Sequence, residues 1–279
     1  MIRVAIAGKN SYIGRNAAAA LREAGMEVCE VSVHGPWEPG DFAGYDAVLC
    51  VAGIVHKSDD RAEQYYAVNR DLILRVARAA RDGGAKQFVF LSSMSVYGLT
   101  VGRIARDTPP RPSTHYGASK WQAEQGLEQL ASDRFRVAVL RPPMVYGPGC
   151  KGNYQRLSAL AQYVSFFPRI NNERSMLFIG TLCAFLVGLI KSGEGGLYFP
   201  QEPAYVNTSE MVRLIAQCHG RRLRLVPGLD RLIHRIAPRV QLVGKLFGSL
   251  TYDQDMSRAF RPPNALSLEQ TIRLTEENA

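Results

Sequence analysis

The sequence predicts an α/β fold: a doubly wound parallel sheet followed by a smaller C-terminal lobe. Three observations carry that expectation. Short runs that are apolar throughout, rather than alternating, recur up to Leu140, as in parallel strands buried on both faces. Segments of helical period separate these runs, and alternating strands and helices imply crossover units. The first run ends at Gly8, which opens a helix, the turn of a nucleotide-binding βαβ unit.

Taken in order, residues 4–8 form the first strand and residues 13–24 the first helix. Residues 26–33 form the second strand and 47–51 the third. Residues 64–80 read as one long amphipathic helix, and 87–91 (QFVFL) as the fourth strand. A helix over 115–131 and a strand over 136–140 (RVAVL) complete the sheet. The most apolar stretch, 176–190, contains Gly180, Thr181 and Gly188 and falls short of the roughly 20 apolar residues of a membrane span. It reads as a buried strand followed by a core helix. After Gly149 glycine, asparagine, proline and aromatic residues loosen the rhythm. The expected division is therefore 1–149 for the sheet domain, with some later segments returning to it, and 150–279 for the lobe.

The 279 residues suffice for a large core. Hydrophobic residues at 46% and charged residues at 21% exclude a disordered chain. The net charge of +9 favours an anionic partner, whether nucleotide, nucleic acid or membrane surface. The 5 cysteines show no CxxC spacing, so no metal site is expected. Their odd number, and an N-terminus that enters a strand directly, suggest reduced thiols in a cytoplasm.

Three motifs carry chemistry. The first is Gly8-Lys9-Asn10-Ser11-Tyr12-Ile13-Gly14, where glycines allow a tight turn and close approach to a pyrophosphate at a helix N-terminus. Ser11 stands where a glycine is usual; its hydroxyl can reach a phosphate but narrows the approach. The second strand ends in Ser32-Val33-His34 without the acid that holds a ribose 2′-hydroxyl, while Lys9, Arg15 and His34 lie nearby. NADP therefore stays open beside NAD. The second motif is Tyr116-Gly117-Ala118-Ser119-Lys120. On a helix the phenol and ammonium share a face, and the ammonium stabilises phenolate for proton exchange. The third is Ser92-Ser93-Met94-Ser95-Val96-Tyr97-Gly98 at the end of the fourth strand, where open α/β sheets bind ligands.

With these motifs in this order, the chain resembles the extended short-chain dehydrogenase/reductases, specifically the NAD-dependent nucleotide-sugar epimerase/dehydratase family. The resemblance covers almost the whole chain. It includes Asp46 through Gly53 (DAVLCVAG), Asn69 on the long helix, the segment Arg141 through Gly149 (RPPMVYGPG), Asn153, Arg174 in RSMLFIGTL, and the closing SLEQTIRLTEE. It implies a Rossmann-like fold with a substrate-binding C-terminal lobe. It also implies Ser93, Tyr116 and Lys120 as catalytic residues. The cofactor would lie against Gly8, Asn10, Ser11, Tyr12, Ile13, Gly14, Val51, Ala52, Gly53, Asn69 and Pro143, together with Tyr116 and Lys120. Substrate would meet Ser93, Ser95, Asn153 and Arg174, the last on the nucleotide diphosphate.

The activity implied is C4 epimerisation of a UDP-hexose or UDP-N-acetylhexosamine through a transient 4-keto sugar, for surface polysaccharide synthesis. NAD is the expected cofactor for an epimerase. Dehydratases of the family carry Asp-Glu after the triad Ser/Thr; Met94 and Ser95 stand there, which argues against elimination of water. Two alternatives remain: an NAD(P)H-dependent reductase of a nucleotide-linked 4-keto sugar, and a non-catalytic NAD(P)-binding sensor. His56-Lys57 and His115 are further substrate contacts to examine. Lys9, Arg15, Lys57, Lys120, Arg141 and Arg174 are the basic residues placed near the anionic ligands.

Residues 219–250 hold Arg221, Arg222, Arg224, Arg231, Arg235, Arg239 and Lys245 against one acid, Asp230, with apolar residues interleaved. One reading is a solvated face packing its apolar side on the lobe. The other is a basic amphipathic element on an anionic bilayer, peripheral to the inner face of the membrane. No nucleic-acid-binding module is present in the sequence, so no nucleic acid partner is expected. A homodimer is compatible with the same resemblance.

Overall fold

The computed structural model describes residues 1–55, 62–228, 235, 244, 247–257 and 266–277. His56, Lys57 and most of 229–246 lie outside these. The strands are β1 (Arg3–Ala7), β2 (Glu27–Val31), β3 (Ala47–Cys50), β4 (Gln87–Leu91), β5 (Gly102–Ile104), β6 (Arg136–Leu140), β7 (Met144–Tyr146), β8 (Phe166–Pro168), β9 (Met176–Phe178), β10 (Gly196–Tyr198), β11 (Arg224–Val226) and β12 (Leu250–Tyr252). The helices are α1 (Tyr12–Glu23), α2 (Ala62–Tyr66), α3 (Ile73–Asp82), α4 (His115–Glu128), α5 (Asn153–Tyr163), α6 (Ile179–Ser192), α7 (Thr208–Cys218) and α8 (Leu268–Glu277).

The chain divides into two compact units. The first comprises Met1–Gly98, Pro109–Pro142 and Leu182–Pro200; the second comprises Leu99–Thr108, Pro143–Thr181 and Gln201–Ala279. This differs from the split at 149/150 expected from the sequence. Segment 182–200 returns to the first unit because β10 adds to the sheet edge beside β6, and α6 supplies the crossover a parallel strand requires. Segment 99–108 joins the second unit because β5 pairs with β12.

The first unit holds a six-stranded sheet in the order β10-β6-β4-β3-β1-β2, every pair parallel. Every residue of β3 and β4 is buried, which explains their apolar runs, and buried Gln87 at the start of β4 donates its side-chain amide to the Leu189 and Glu194 carbonyls. One face packs Val76, Ala77 and Ala80 of α3 against Phe88, Phe90 and Phe135. On α1 the small residues Ala17 and Ala18 face inward with Leu21. The strand order reverses between β1 and β3, the place where such sheets bind ligands. The expected long helix is interrupted: a π-helical turn, Ala67–Leu72, separates α2 from α3. Such turns often mark functional positions, and this one carries Asn69.

Among the described residues, the second unit contains three parallel strand pairs, β5–β12, β7–β9 and β8–β11. Tyr146 stacks on Tyr154 with centroids 5.4 Å apart and shares a 2.8 Å hydrogen bond with Thr271. The Glu276 carboxylate accepts from the Tyr154 hydroxyl at 2.7 Å and from the Ser158 hydroxyl at 2.8 Å, and it meets His219 Nε2 at 2.7 Å. These contacts tie α8 to α5 and to the end of α7.

Glu202 is a buried carboxyl in this unit. Its Oε1 accepts from the Phe178 amide at 3.0 Å, whereas Oε2 is buried without a hydrogen-bond partner. Burial pushes its pKa up. Ionising it therefore costs stability above the ordinary carboxylate range, and the cost vanishes below that range, where both folded and unfolded chains hold the proton. Glu202→Gln is expected to flatten the fall in melting temperature as pH rises above the ordinary carboxylate range, read by thermal unfolding at each pH.

Candidate active site

The turn after β1 is built by backbone. Gly8 has φ +123°, a conformation other residues rarely adopt. Its amide and that of Lys9 donate to the Val31 carbonyl at 3.1 and 3.3 Å. A Cβ on Gly8 would lie 2.9 Å from the Ala52 nitrogen and 3.0 Å from Val51 Cγ2. The turn is thus pressed against the chain leaving β3, on both sides of the strand-order reversal. Asn10 is the one non-glycine residue with positive φ, +66°, among the described residues. Ser11 caps α1, its hydroxyl accepting from the Gly14 amide at 3.1 Å and keeping its own hydrogen to donate. Tyr12 and Ile13 are half-buried in the first turn of that helix.

Ser93 caps a short 3-10 turn, Met94–Tyr97. Its hydroxyl accepts from the Ser95 amide and donates to the Ser95 hydroxyl, both at 3.1 Å. Thr114 caps α4 through the Gly117 amide at 3.1 Å. At Gly117 a Cβ would sit 2.5 Å from the Ser95 carbonyl oxygen, so only glycine lets α4 start this close to the Ser93 turn. Tyr116, one residue earlier, is half-buried, with its ring 6.4 Å from that of Tyr65 in an edge-on contact. Burial pushes the phenol up, a hydrogen bond with Ser93 opposes this, and Tyr65 adds to the rise. The resting Tyr116 is therefore a neutral phenol, a proton donor.

Lys120 follows one helical turn later and is buried. Its ammonium donates to the Leu91 carbonyl at 2.8 Å and lies 4.7 Å from the centre of the Phe90 ring. Burial pulls its pKa down to about 8, against smaller upward effects of Cys50 and Glu124. Cys50 is pushed up to about 11 by burial and rests as a thiol. Asn69 is fully buried. Its Oδ1 accepts from the Ile54 amide at 2.8 Å, and its Nδ2 donates to the Ile54 carbonyl at 3.1 Å and to the Ser119 hydroxyl at 3.3 Å. One amide thereby holds the chain after β3 against α4. A Cβ on Gly53 would lie 3.1 Å from Asn69 Oδ1 and 3.3 Å from Lys120 Nζ.

The folded-state pKa of Lys120 lies below its unfolded value, so the ammonium is present below about pH 8 and lost above it. Affinity for an anionic dinucleotide is expected to fall as pH rises through that value. Calorimetric titration at several pH values checks this, and Lys120→Met is expected to remove the step.

Behind these groups lies a pair that sequence reasoning missed. Arg141 Nε donates to both Glu124 oxygens at 3.1 Å, Nη2 to Oε2 at 2.6 Å, and Nη1 to the Tyr97 hydroxyl at 2.7 Å. Both members of the pair are almost wholly buried. The guanidinium also lies over the Tyr97 and Trp121 rings at 5.1 and 5.2 Å. Ser92 donates to Glu124 as well. Arg141 thus spends its charge inside the protein, which corrects its place among the cations expected near the ligands. The available signal was Glu124, a carboxylate one turn beyond Lys120 on an inward-facing stripe.

The remaining expected residues belong to the second unit. Pro143 opens one of its segments, and Asn153 is the half-buried first residue of α5. The Arg174 guanidinium donates to the Gly248 carbonyl at 2.7 Å and to that of Gly244 at 3.4 Å. Burial pulls its pKa down. His115 meets the Tyr66 hydroxyl at 3.2 Å. No group of side chains suited to a metal ion occurs among the described residues, and no described helix is long and apolar enough to cross a membrane.

The fold and site define a class: a parallel-sheet dinucleotide enzyme with a Ser, Tyr and Lys beyond the strand ends. Residues 38–182 match the NAD dependent epimerase/dehydratase family. The chain belongs to that family and is an NAD(P)-dependent epimerase or related oxidoreductase. It is 29% identical over 238 residues to a UDP-glucose 4-epimerase of Vibrio cholerae, covering 78% of this chain and 73% of that protein. It is 29% identical over 190 residues to an Escherichia coli O157:H7 N-acetyl-α-D-glucosaminyl-diphospho-ditrans,octacis-undecaprenol 4-epimerase, 65% of this chain and 57% of that one. A UDP-glucuronic acid 4-epimerase from Bacillus cereus, in complex with NAD, superposes with a TM-score of 0.78 at 15% identity, covering 99% and 98% of the two chains. The Gly8 turn, flush against Val51 and Ala52, is a cradle suited to a dinucleotide pyrophosphate.

Proposed function

We propose that the protein epimerises C4 of a UDP-hexose or UDP-N-acetylhexosamine through a transient 4-keto sugar. One observation carries this reading: Ser93, Tyr116 and Lys120 are gathered at the junction of β4 and α4. A bound dinucleotide would supply the hydride acceptor and donor at the sugar carbon. The protein handles the proton. In the oxidising half the resting phenol must first give up its own proton; Tyr116 then takes the O4 proton as phenolate, the form that the Ser93 hydrogen bond favours. In the reducing half the neutral phenol returns that proton to the carbonyl oxygen. Neither Met94 nor Ser95 can titrate to expel water, which separates this site from a dehydratase. Arg174 is the residue proposed for the nucleotide diphosphate, with Ser95 and Asn153 on the sugar.

A second reading is reduction of a nucleotide-linked 4-keto sugar by NADPH. Two observations favour it: the resting phenol is already a proton donor, and β2 is followed by Ser32-Val33-His34 without a carboxylate. Incubation with UDP-glucose, UDP-N-acetylglucosamine and polyprenyl-diphosphate N-acetylglucosamine, without added cofactor, distinguishes the two. C4 epimers are expected. Consumption of one NADPH per 4-keto sugar, with no epimer, would favour the reductase. Binding of NAD(P) without either conversion would leave a non-catalytic sensor.

Supply of epimerised donor sugar for surface polysaccharide is the proposed role, in the cytoplasm and as a homodimer. Sedimentation equilibrium tests the dimer.

A further inference from the structure

We propose that the second unit docks onto an anionic lipid bilayer through the end of α5 and the outer face of the β8–β11 ribbon. This inference is independent of the sugar chemistry proposed above. Large apolar side chains stand out here. Tyr163 is 84% exposed and Phe166 70%, with Leu160 and Val226 each at 39%.

Their arrangement follows from two local periodicities. On α5, residues 156, 160 and 163 are spaced as one helical stripe, which presents exposed Arg156, Leu160 and Tyr163. Three residues later β8 begins. Its parallel register sets Phe166 beside Arg224 and Pro168 beside Val226, and paired residues point to the same face of a ribbon. Phe167 and Leu225 alternate to the other face. Phe167 is 3% exposed and packs its ring 5.7 Å from that of Phe247. The ribbon thus has a satisfied inner face and an outer face that sets Phe166, Pro168 and Val226 around Arg224. Arg169 donates its amide to the Val226 carbonyl at 2.8 Å and closes the end of that ribbon.

Charge identifies the occupant. Residues 151–170 contain Lys151, Arg156 and Arg169 and no acid; residues 217–228 contain Arg221, Arg222 and Arg224 and no acid. All six basic residues are exposed. Apolar residues scattered singly on a surface are ordinary, but grouped ones with a purpose-matched rim are not. Side chains that line a groove for a folded partner lose exposure to the groove walls; Tyr163 and Phe166 protrude instead. Protruding aromatic rings enter the boundary between headgroups and acyl chains, while arginines around them meet lipid phosphates. A fluid anionic surface fits both features.

The test is co-sedimentation of the full chain with vesicles of phosphatidylcholine alone and of phosphatidylcholine with about one third phosphatidylglycerol. Binding is expected only to the anionic vesicles and should be released at about 0.5 M salt. Tyr163→Ser with Phe166→Ser, and separately Arg169→Gln with Arg224→Gln, are each expected to weaken partitioning at least about tenfold. Melting temperature and dinucleotide binding should stay at wild-type values, since all four residues are exposed. Wild-type partitioning by both double variants would overturn the proposal, as would absence of binding to either vesicle. A concentration-dependent dimer lost in the aromatic variant would instead assign this face to a second copy of the chain.

Discussion

Gly117→Ala is expected to lower turnover by about a hundredfold while the sheet stays folded. The added methyl would stand 2.5 Å from the Ser95 carbonyl oxygen and 3.2 Å from Pro112 Cβ. The closer of these atoms is backbone, so no side-chain rotation relieves it. Overpacking of this kind costs about 1–3 kcal/mol, and the helix start is what must move. Tyr116 is the residue immediately before and would be carried away from Ser93. A shift of about 1 Å in a reacting group costs on the order of a hundredfold in rate. Steady-state kinetics beside thermal unfolding checks this: a large fall in kcat with a modest fall in Tm is expected.

Glu124→Ala has the largest expected effect on stability. It leaves the Arg141 guanidinium buried without its carboxylate, while Ser92 loses its acceptor. Breaking one side of a buried ion pair costs about 3–5 kcal/mol, a large share of the about 5–15 kcal/mol that stabilises an ordinary domain. Replacing both charges with apolar residues is usually far milder. The double variant Glu124→Met with Arg141→Met is therefore expected to recover much of the loss. Denaturant unfolding of both single variants and the double variant measures the coupling.

These two sites show where sequence reading reached its limit. The largely apolar runs at 87–91 and 136–140, each opened by a polar residue (Gln87, Arg136), mark β4 and β6 to the residue, because strands inside a parallel sheet bury most side chains on both faces. The π-helical turn at Asn69 left no trace, since helical periodicity continues across it. The strands of the second unit are three residues each and pair across long sequence separations, so no local pattern announces them. For the site, Ser93, Tyr116 and Lys120 were legible as a motif in a known structural context. Gly117 stood inside that motif, yet its role is steric and needs the position of the Ser95 carbonyl. The sequence places Arg141 among the cations near the ligands because its partner, Glu124, is 17 residues away and is met only after β6 docks beside β4.

The central claim is that Tyr116 moves the substrate proton. Its most direct test is turnover by Tyr116→Phe, measured on whichever sugar nucleotide the wild type converts, with dinucleotide affinity measured in parallel. The phenylalanine keeps the ring and its contact with Tyr65 and removes only the hydroxyl. Turnover is expected to fall by about a hundredfold to ten-thousandfold, the usual worth of a positioned acid–base group, with dinucleotide affinity close to wild type. Wild-type turnover by this variant would contradict the account.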